Sequence, residues 1–410
     1  MLWQGLRSLD PRLPRTVWTM EVGGFLNAFG NGIVFPFLLI YLHNVRGIGL
    51  GTAGLVLATN NAAGLVSTPL AGSLVDRIGG RATLSGALVV QAAGFASFSF
   101  VHRPWTAFLA AAIAGVGDGG FWPSQSTLLA GLTPPPRRHA AYALQRVTRN
   151  FGIGIGGVLG GLIAITSQPT TFTVLFSIDA VTFLAFAVVL IFVPEPELDV
   201  EPDAVRGRYI DVLRDRVFLG VVGLNVLFVT GGYAMLELMP VFAKNEAGIS
   251  ERAIGLIFFL NTIAIVLAQL PLVKLLEGRR RMLGLALMTV IWAVALLLIG
   301  AAGAWLRGGA AVALLCLAAV VFGLGECFHG PTQGALVADL APPRLRGRYM
   351  ALSTSSWGLG FVIGPAVGGA VLGAAPLALW PAAAALCLVA GVGSLALERR
   401  LPRELRLTPA

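Results

Sequence analysis

The sequence predicts an all-α membrane protein with twelve transmembrane helices, arranged as two six-helix bundles related by a pseudo-two-fold axis along the membrane normal. Three observations predict it: the scarcity of charge, the even spacing of the apolar stretches, and a repeat that lays the second half of the chain on the first. Of 410 residues, 56% are hydrophobic and only 12% are charged, and the mean hydropathy is +0.81. A soluble domain carries about 25% charged residues, so the surplus apolar surface must face a bilayer.

The spans follow from cutting the chain at charged or Pro/Gly-rich breaks, because a helix needs about 20 mostly apolar residues to cross. They fall at 17–43, 51–73, 82–101, 105–131, 139–165, 171–193, 216–243, 251–275, 282–302, 308–338, 349–373 and 375–397. The faintest break separates the last two, where only Ala374 and Pro376 mark a turn. Barrel strands would be about 10 residues long with strict alternation, and these stretches are twice that length and apolar throughout.

Charge sets the expected orientation. With the N-terminus inside, 22 basic residues fall in inside segments and five (Arg46, Arg103, Lys244, Arg252 and Arg307) in outside loops. This satisfies the positive-inside rule and places both termini in the cytoplasm of a multi-pass plasma-membrane (inner-membrane) protein. The polar stretch Met1 to Thr16 lacks a small-residue cleavage site behind a short apolar core, so the first span is expected to stay in the mature chain. The net charge of +9 is scattered between spans rather than lining one surface, which suits headgroup contact and excludes a nucleic-acid partner. Cys316, Cys327 and Cys387 all lie in apolar stretches and form no metal motif. No cofactor and no metal are expected.

The segment from Pro194 to Arg216 is a charged linker at the midpoint, giving an N-terminal bundle over 1–193, a linker over 194–215 and a C-terminal bundle over 216–410. At an offset of 208, Gly115, Gly117, Asp118, Pro123 and Gln125 match Gly323, Gly325, Glu326, Pro331 and Gln333. The register continues from Gly152, Gly156 and Gly160 to Gly360, Gly364 and Gly368. At an offset of 201, Asn44, Gly47 and Asn60 match Asn245, Gly248 and Asn261. Six spans separate the copies, so both insert the same way up and should enclose a cavity near the midplane.

Five acids lie within spans: Glu21, Asp118, Asp179, Glu237 and Glu326. An acid at that depth costs roughly 2.5–3.5 kcal/mol on insertion scales, so each calls for a partner, a proton or water. Asp118 and Glu326 sit at equivalent heights; Asp118, Trp122 and Gln125 share a helix face, as do Glu326, Gly330 and Gln333 with His329 beside them, so both helices turn a polar stripe toward one place. The functional reading is a proton-coupling set of Glu326, Asp118 and Glu237. The plain alternative for Asp118 is neutralisation by Arg149, while Glu21 would snorkel to the interface and Asp179 would serve a helix contact. Candidate substrate-binding residues are Glu326, Trp122, Gln125, His329, Gln333, Trp357, Asn27, Asn31 and Arg149. For the histidine, the tryptophans and the asparagines, structural hydrogen bonding or packing is the competing reading. The glycine tracks at Gly152, Gly156, Gly160 and at Gly364 let helices approach closely, and Pro365 removes a backbone donor; both could serve rocking.

The loop after the second span, Gly72-Ser73-Leu74-Val75-Asp76-Arg77-Ile78-Gly79-Gly80-Arg81, resembles the G-x-x-x-D-R-x-G-x-R signature of the major facilitator superfamily. The resemblance implies the two-bundle fold and a gating role for Gly72, Asp76, Arg77, Gly79 and Arg81, with Asp76 capping the eleventh span in the outward-facing state. That reading accords with an anion meeting a helix N-terminus. The stretch Gly152 to Gly161 is similar to the family's antiporter signature, with Gly157 where proline is expected; the pattern is complete only at Gly364-Pro365 and Gly368-Gly369. Gly323-Leu324-Gly325-Glu326 through Pro331 to Asp339-Leu340 resembles the tenth span of LmrP-like multidrug/proton antiporters, which implicates Glu326 and, more loosely, Glu237.

The expectation is therefore a monomeric, twelve-span secondary transporter that works by alternating access. Its partners would be protons, the lipid bilayer and a small-molecule substrate, with proton-coupled efflux of amphipathic or cationic compounds favoured. Competing readings are a lipid or metabolite transporter working by symport or uniport, a non-transporting receptor, and a polytopic membrane enzyme. The last lacks support, since the chain has no P-loop, no HExxH and no paired ligands among His43, His102, His139 and His329.

Overall fold

The computed structural model describes residues 13–196, 209–342 and 345–408, and among these are twelve span-length helices. The expected linker lies mostly outside the described residues, as do Arg7, Arg12, Arg206, Arg208 and Arg344. Helix α1 comprises Arg15–Val34, Leu38–Ile40 and a π turn at Tyr41–Val45; it is interrupted at Pro36, whose ring removes a backbone donor. Then come α2 (Leu50–Ile78), α3 (Gly80–Phe98), α4 (Pro104–Leu132), α5 (Arg138–Ile163) and α6 (Pro169–Leu190). In the second half, α7 comprises Arg216–Phe228, a π turn at Val229–Tyr233 and Met235–Asn245. It is followed by α8 (Glu251–Leu276), α9 (Arg281–Trp305), α10 (Gly308–Leu340), α11 (Arg346–Ala374) and α12 (Leu379–Glu398). The faint break between the last two spans is a single 3-10 turn, Pro376–Ala378.

Helix starts follow local chemistry. Proline occupies the first turn of α4 and α6, where its missing N–H costs nothing. The Asp215 carboxylate accepts from the N–H groups of Val217 (3.0 Å) and Phe218 (2.9 Å) at the start of α7. Eight helices, α1 and α6 to α12, are long and apolar enough to cross a membrane by composition alone. Helices α2 to α5 have the length but intersperse glycine, asparagine, glutamine, serine and threonine, and α5 adds arginines.

Within the first half, α1 packs on α5 and α6, and α4 packs on α2 and α3; within the second, α9 packs on α10 and α12, and α8 on α10. Outward faces keep large apolar side chains exposed, among them Val66, Leu70, Val181, Leu267, Leu270 and Val392, as a lipid-facing surface requires. The repeat is reproduced at the level of a single bond: the Asn60 amide donates to the Ala111 carbonyl (3.2 Å), and Asn261, its counterpart, donates to the Ala319 carbonyl (3.0 Å). Here the interhelical reading of these asparagines is what the geometry shows.

The halves meet along two seams, α2 against α11 and α5 against α8. Close approach needs glycine: a Cβ on Gly54 would lie 2.1 Å from the Pro365 carbonyl oxygen, and one on Gly161 would lie 2.6 Å from that of Glu251. The repeated tracks have another role. Gly152, Gly156 and Gly160 face Ala28, Phe29 and Ile33 of α1, while Gly360, Gly364 and Gly368 face Val229, Ala234 and Leu238 of α7. The tracks thus join helices within a half, and a different set of glycines makes the seams between halves. A repeat aligns positions inside each bundle and is silent on contacts between bundles.

Candidate functional site

Asp118 and Glu326 lie midway along α4 and α10, and each is only half-buried. The Asp118 Oδ1 accepts a hydrogen bond from the Gln91 amide of α3 (3.3 Å), and the Glu326 Oε1 accepts one from the Asn261 amide of α8 (3.4 Å). Both acids therefore share an amide donor from a neighbouring helix of their own half. Among the described residues, no arginine or lysine nitrogen comes within 4.0 Å of either carboxylate. Arg149 still interacts electrostatically with both acids and with Tyr233. Its guanidinium lies over the Trp122 ring, 4.8 Å from the centroid. Arg149 therefore bears on the Asp118 carboxylate, the neutralising partner the sequence offered, without closing to an ion pair within 4.0 Å.

Arg149 and Trp122 are exposed at mid-helix depth, and Trp357 is half-buried. Arg149 acts electrostatically on Glu326 and Tyr233 of the second half, so this face of α5 fronts the other bundle. Arg146, one turn before Arg149 on α5, was not singled out from the sequence; its side chain is exposed and reaches across to α10. A Cβ on Gly330 would stand 2.5 Å from an Arg146 terminal nitrogen, so the glycine leaves the guanidinium its room. The signal was present in the i, i+3 spacing of the two arginines, which puts them on one face.

The opposite wall is aromatic. Tyr233, carried inward at the end of the α7 π turn, packs against Trp292 (4.9 Å between centroids), Trp357 (5.0 Å) and His329 (5.5 Å). Tyr233 also escaped sequence reasoning, because a π turn has no sequence signature strong enough to show which face the ring takes. His329 is fully buried and held on both ring nitrogens, by the Asn225 side chain (2.9 Å) and the Tyr233 hydroxyl (3.4 Å). Gln125, Gln333 and Asn27 are buried as well, behind rather than on the wall. Asn31 is half-buried and donates to Asn27 one turn earlier (3.3 Å). Glu237 is buried in α7 with its Oε2 lacking a hydrogen-bond partner, and Glu21 and Asp179 are buried acids of the first half with such orphan oxygens too.

At one end, the halves are latched together. The Asn44 amide donates to the Asn245 side-chain oxygen (2.7 Å). The Glu251 carboxylate of α8 accepts from the backbone N–H of Thr166 (3.0 Å), from the Thr166 hydroxyl, and from Lys244 (2.9 Å).

The other end carries the signature loop. Asp76 and Arg77 are exposed there, and Gly72 has open space around it. Gly79 adopts φ +89°, and the next two N–H groups, of Gly80 (2.7 Å) and Arg81 (2.9 Å), donate to the Glu195 carboxylate in the stretch that follows α6. The loop thus presents the start of α3 to a carboxylate, which meets both free donors and the positive end of the helix dipole. The second half repeats the link in altered form: Arg280, just before α9, pairs with Glu398 at the end of α12. This hydrogen bond holds the Arg280 guanidinium above its usual pKa.

Two matching bundles, latched at one end around a charged and aromatic space, define a membrane transporter. The pattern of the Major Facilitator Superfamily matches residues 20–250 and 222–410, and the chain belongs to that family. It is a secondary transporter and not an enzyme. Among relatives, it is 27% identical over 362 residues to the uncharacterised MFS-type transporter YqjV of Bacillus subtilis, covering 86% of this chain and 85% of that one. It is 29% identical over 371 residues to the multidrug resistance protein MdtH of Aeromonas hydrophila, covering 86% and 87%. Among solved structures, the peptide transporter POT in complex with sulfate superimposes with a TM-score of 0.77 at 17% identity, covering 96% of each chain; that likeness shows the fold.

Proposed function

We propose that the chain is a proton-coupled exporter of amphipathic compounds, in which the bundles over 1–193 and 216–410 rock about the two seams. The observation that supports this most is the pair Asp118 and Glu326, at equivalent positions in the repeat, each accepting from an amide of its own half and both acting on Arg149. A carboxyl at membrane depth is costly when charged, so taking up and releasing a proton is the favoured way to change its state as access alternates. Glu237, buried with an orphan oxygen, belongs to the same coupling set. The name of the MdtH relative supports export of more than one compound. With both termini in the cytoplasm of a bacterial inner membrane, the latched end is external and the conformation is open to the inside.

The test is transport in everted vesicles, using a panel of fluorescent amphiphiles with and without an uncoupler. Uptake by the wild type should collapse with the uncoupler and should be lost in Glu326→Gln. Uncoupler-insensitive flux retained by Glu326→Gln and by Asp118→Asn would point to uniport and overturn the proton reading.

A further inference from the structure

Arg146 and Arg149 stand one turn apart on α5, both exposed, and both act on Glu326 of the other half. Neither has a carboxylate oxygen within 4.0 Å among the described residues. A guanidinium cannot shed its proton under ordinary conditions, so this is a fixed double positive charge at membrane depth. Such a charge needs a counter-ion, and the carboxylates that act on Arg149, Asp118 and Glu326, lie beyond ion-pair distance. Side chains three residues apart on a helix are about 5–6 Å apart at Cβ, a spacing at which two guanidinium forks can converge on the oxygens of one anion.

The repeat shows that this charge belongs to one side alone. At the offset of 208, Arg149 corresponds to Trp357, Arg146 to Thr354 and Trp122 to Gly330. One wall therefore offers cations, with Arg149 lying over Trp122. The facing wall offers aromatic rings, Trp357 and Tyr233, and the gap at Gly330 into which Arg146 extends.

We propose that Arg146 and Arg149 form a subsite for the anionic group (sulfonate, phosphate or carboxylate) of an amphipathic ligand whose ring system rests between Trp122 and Trp357. This rests on reading the space between the halves as the transport site, and it replaces simple cations by anion-bearing compounds as the substrate class. The ligand anion competes with the Asp118 and Glu326 carboxylates for the same guanidiniums, so removing a carboxylate charge strengthens its binding.

Two probes that differ by one group test this: 8-anilinonaphthalene-1-sulfonate and N-phenyl-1-naphthylamine, the same ring system without the sulfonate. The full chain in nanodiscs is titrated with each, reading saturable energy transfer from tryptophan above that of empty nanodiscs. The sulfonate should bind about tenfold or more tightly than the neutral probe, and Arg146→Gln or Arg149→Gln should each weaken it by about tenfold, the loss expected for one charged hydrogen bond, while leaving the neutral probe little changed. Glu326→Gln should shift the sulfonate the other way, toward tighter binding, an outcome that a misfolded variant would not give. Equal binding of the two probes, or an equal loss of both in the arginine variants, overturns the anion subsite and leaves the transport-site reading standing. Absence of saturable binding by either probe overturns both.

Discussion

The latch at Glu251 sets how firmly one end of the transporter is shut, and its removal has a calculable effect. Three donors converge on this carboxylate, but Lys244 belongs to the same half, so of these three only the two groups of Thr166 cross between the halves. The Glu251 side chain is 13% exposed and that of Lys244 20%, so solvent screens the site weakly. A hydrogen bond to a charged group contributes about 1.5–3 kcal/mol, and Glu251→Ala removes two that exist only in the latched state. Two such bonds together amount to about 3–6 kcal/mol, a shift of the open-to-latched ratio by roughly a hundred-fold or more. Spin labels on His102→Cys and Ala310→Cys, one on each half at this end and in a background lacking the three native cysteines, would report the separation by pulsed electron resonance. Glu251→Ala should move population to a longer distance, and Thr166→Val should do so more weakly because it keeps the backbone bond. An unchanged distance distribution in Glu251→Ala would refute the reasoning, since the latch would then contribute nothing that the apolar seams do not already supply.

Further outcomes follow from the same geometry. Gly54→Val should open the same end, because its Cβ would lie 2.1 Å from the Pro365 carbonyl oxygen, whereas Gly86→Ala, with open space around it, should leave the distance unchanged. Glu195→Ala removes the acceptor for Gly80 and Arg81 N–H and should lower stability by about 1 kcal/mol, the usual value of a helix N-cap, read as a lower Tm in a thermal-shift assay. Glu237→Gln should impair uncoupler-sensitive transport while leaving probe binding in nanodiscs little changed, since Glu237 is buried away from the exposed arginines. Loss of binding in that variant would place Glu237 in the ligand site instead.

The twelve helices were legible because the bilayer imposes one length on every span, and even the faint break at Ala374 and Pro376 coincides with a helix end. The pairing of Asp118 with Glu326 was legible because the repeat carries positional information within each bundle. What the repeat could not carry is any contact between bundles. Thr166, Lys244 and Glu251 are ordinary polar residues near span ends, and only the docking of α5 on α8 turns them into a latch. The signature loop was recognised, yet the carboxylate that holds it, Glu195, comes from the stretch that follows α6, more than a hundred residues later. Arg146 was within reach, one turn from Arg149, but its value depends on Gly330, a residue whose part in the site is the side chain it lacks.

Where the two halves differ is more informative about the cargo than where they agree. Symmetric features, such as the Asn60 and Asn261 bonds, serve the helix packing that both bundles share. A ligand is not symmetric, and a site that holds an amphiphile needs a polar end and an apolar end. Substituting Arg149 by Trp357 across the repeat provides that polarity directly, with cations on α5 and rings on α11 and α7. Restoring symmetry should therefore damage selectivity before it damages the fold. Arg149→Trp keeps an aromatic stack on Trp122 and removes one fixed charge, so it should narrow the difference between the sulfonate and neutral probes while keeping the neutral one bound. Were the sulfonate preference to persist in Arg149→Trp combined with Arg146→Gln, polarity would have to arise elsewhere in the cavity.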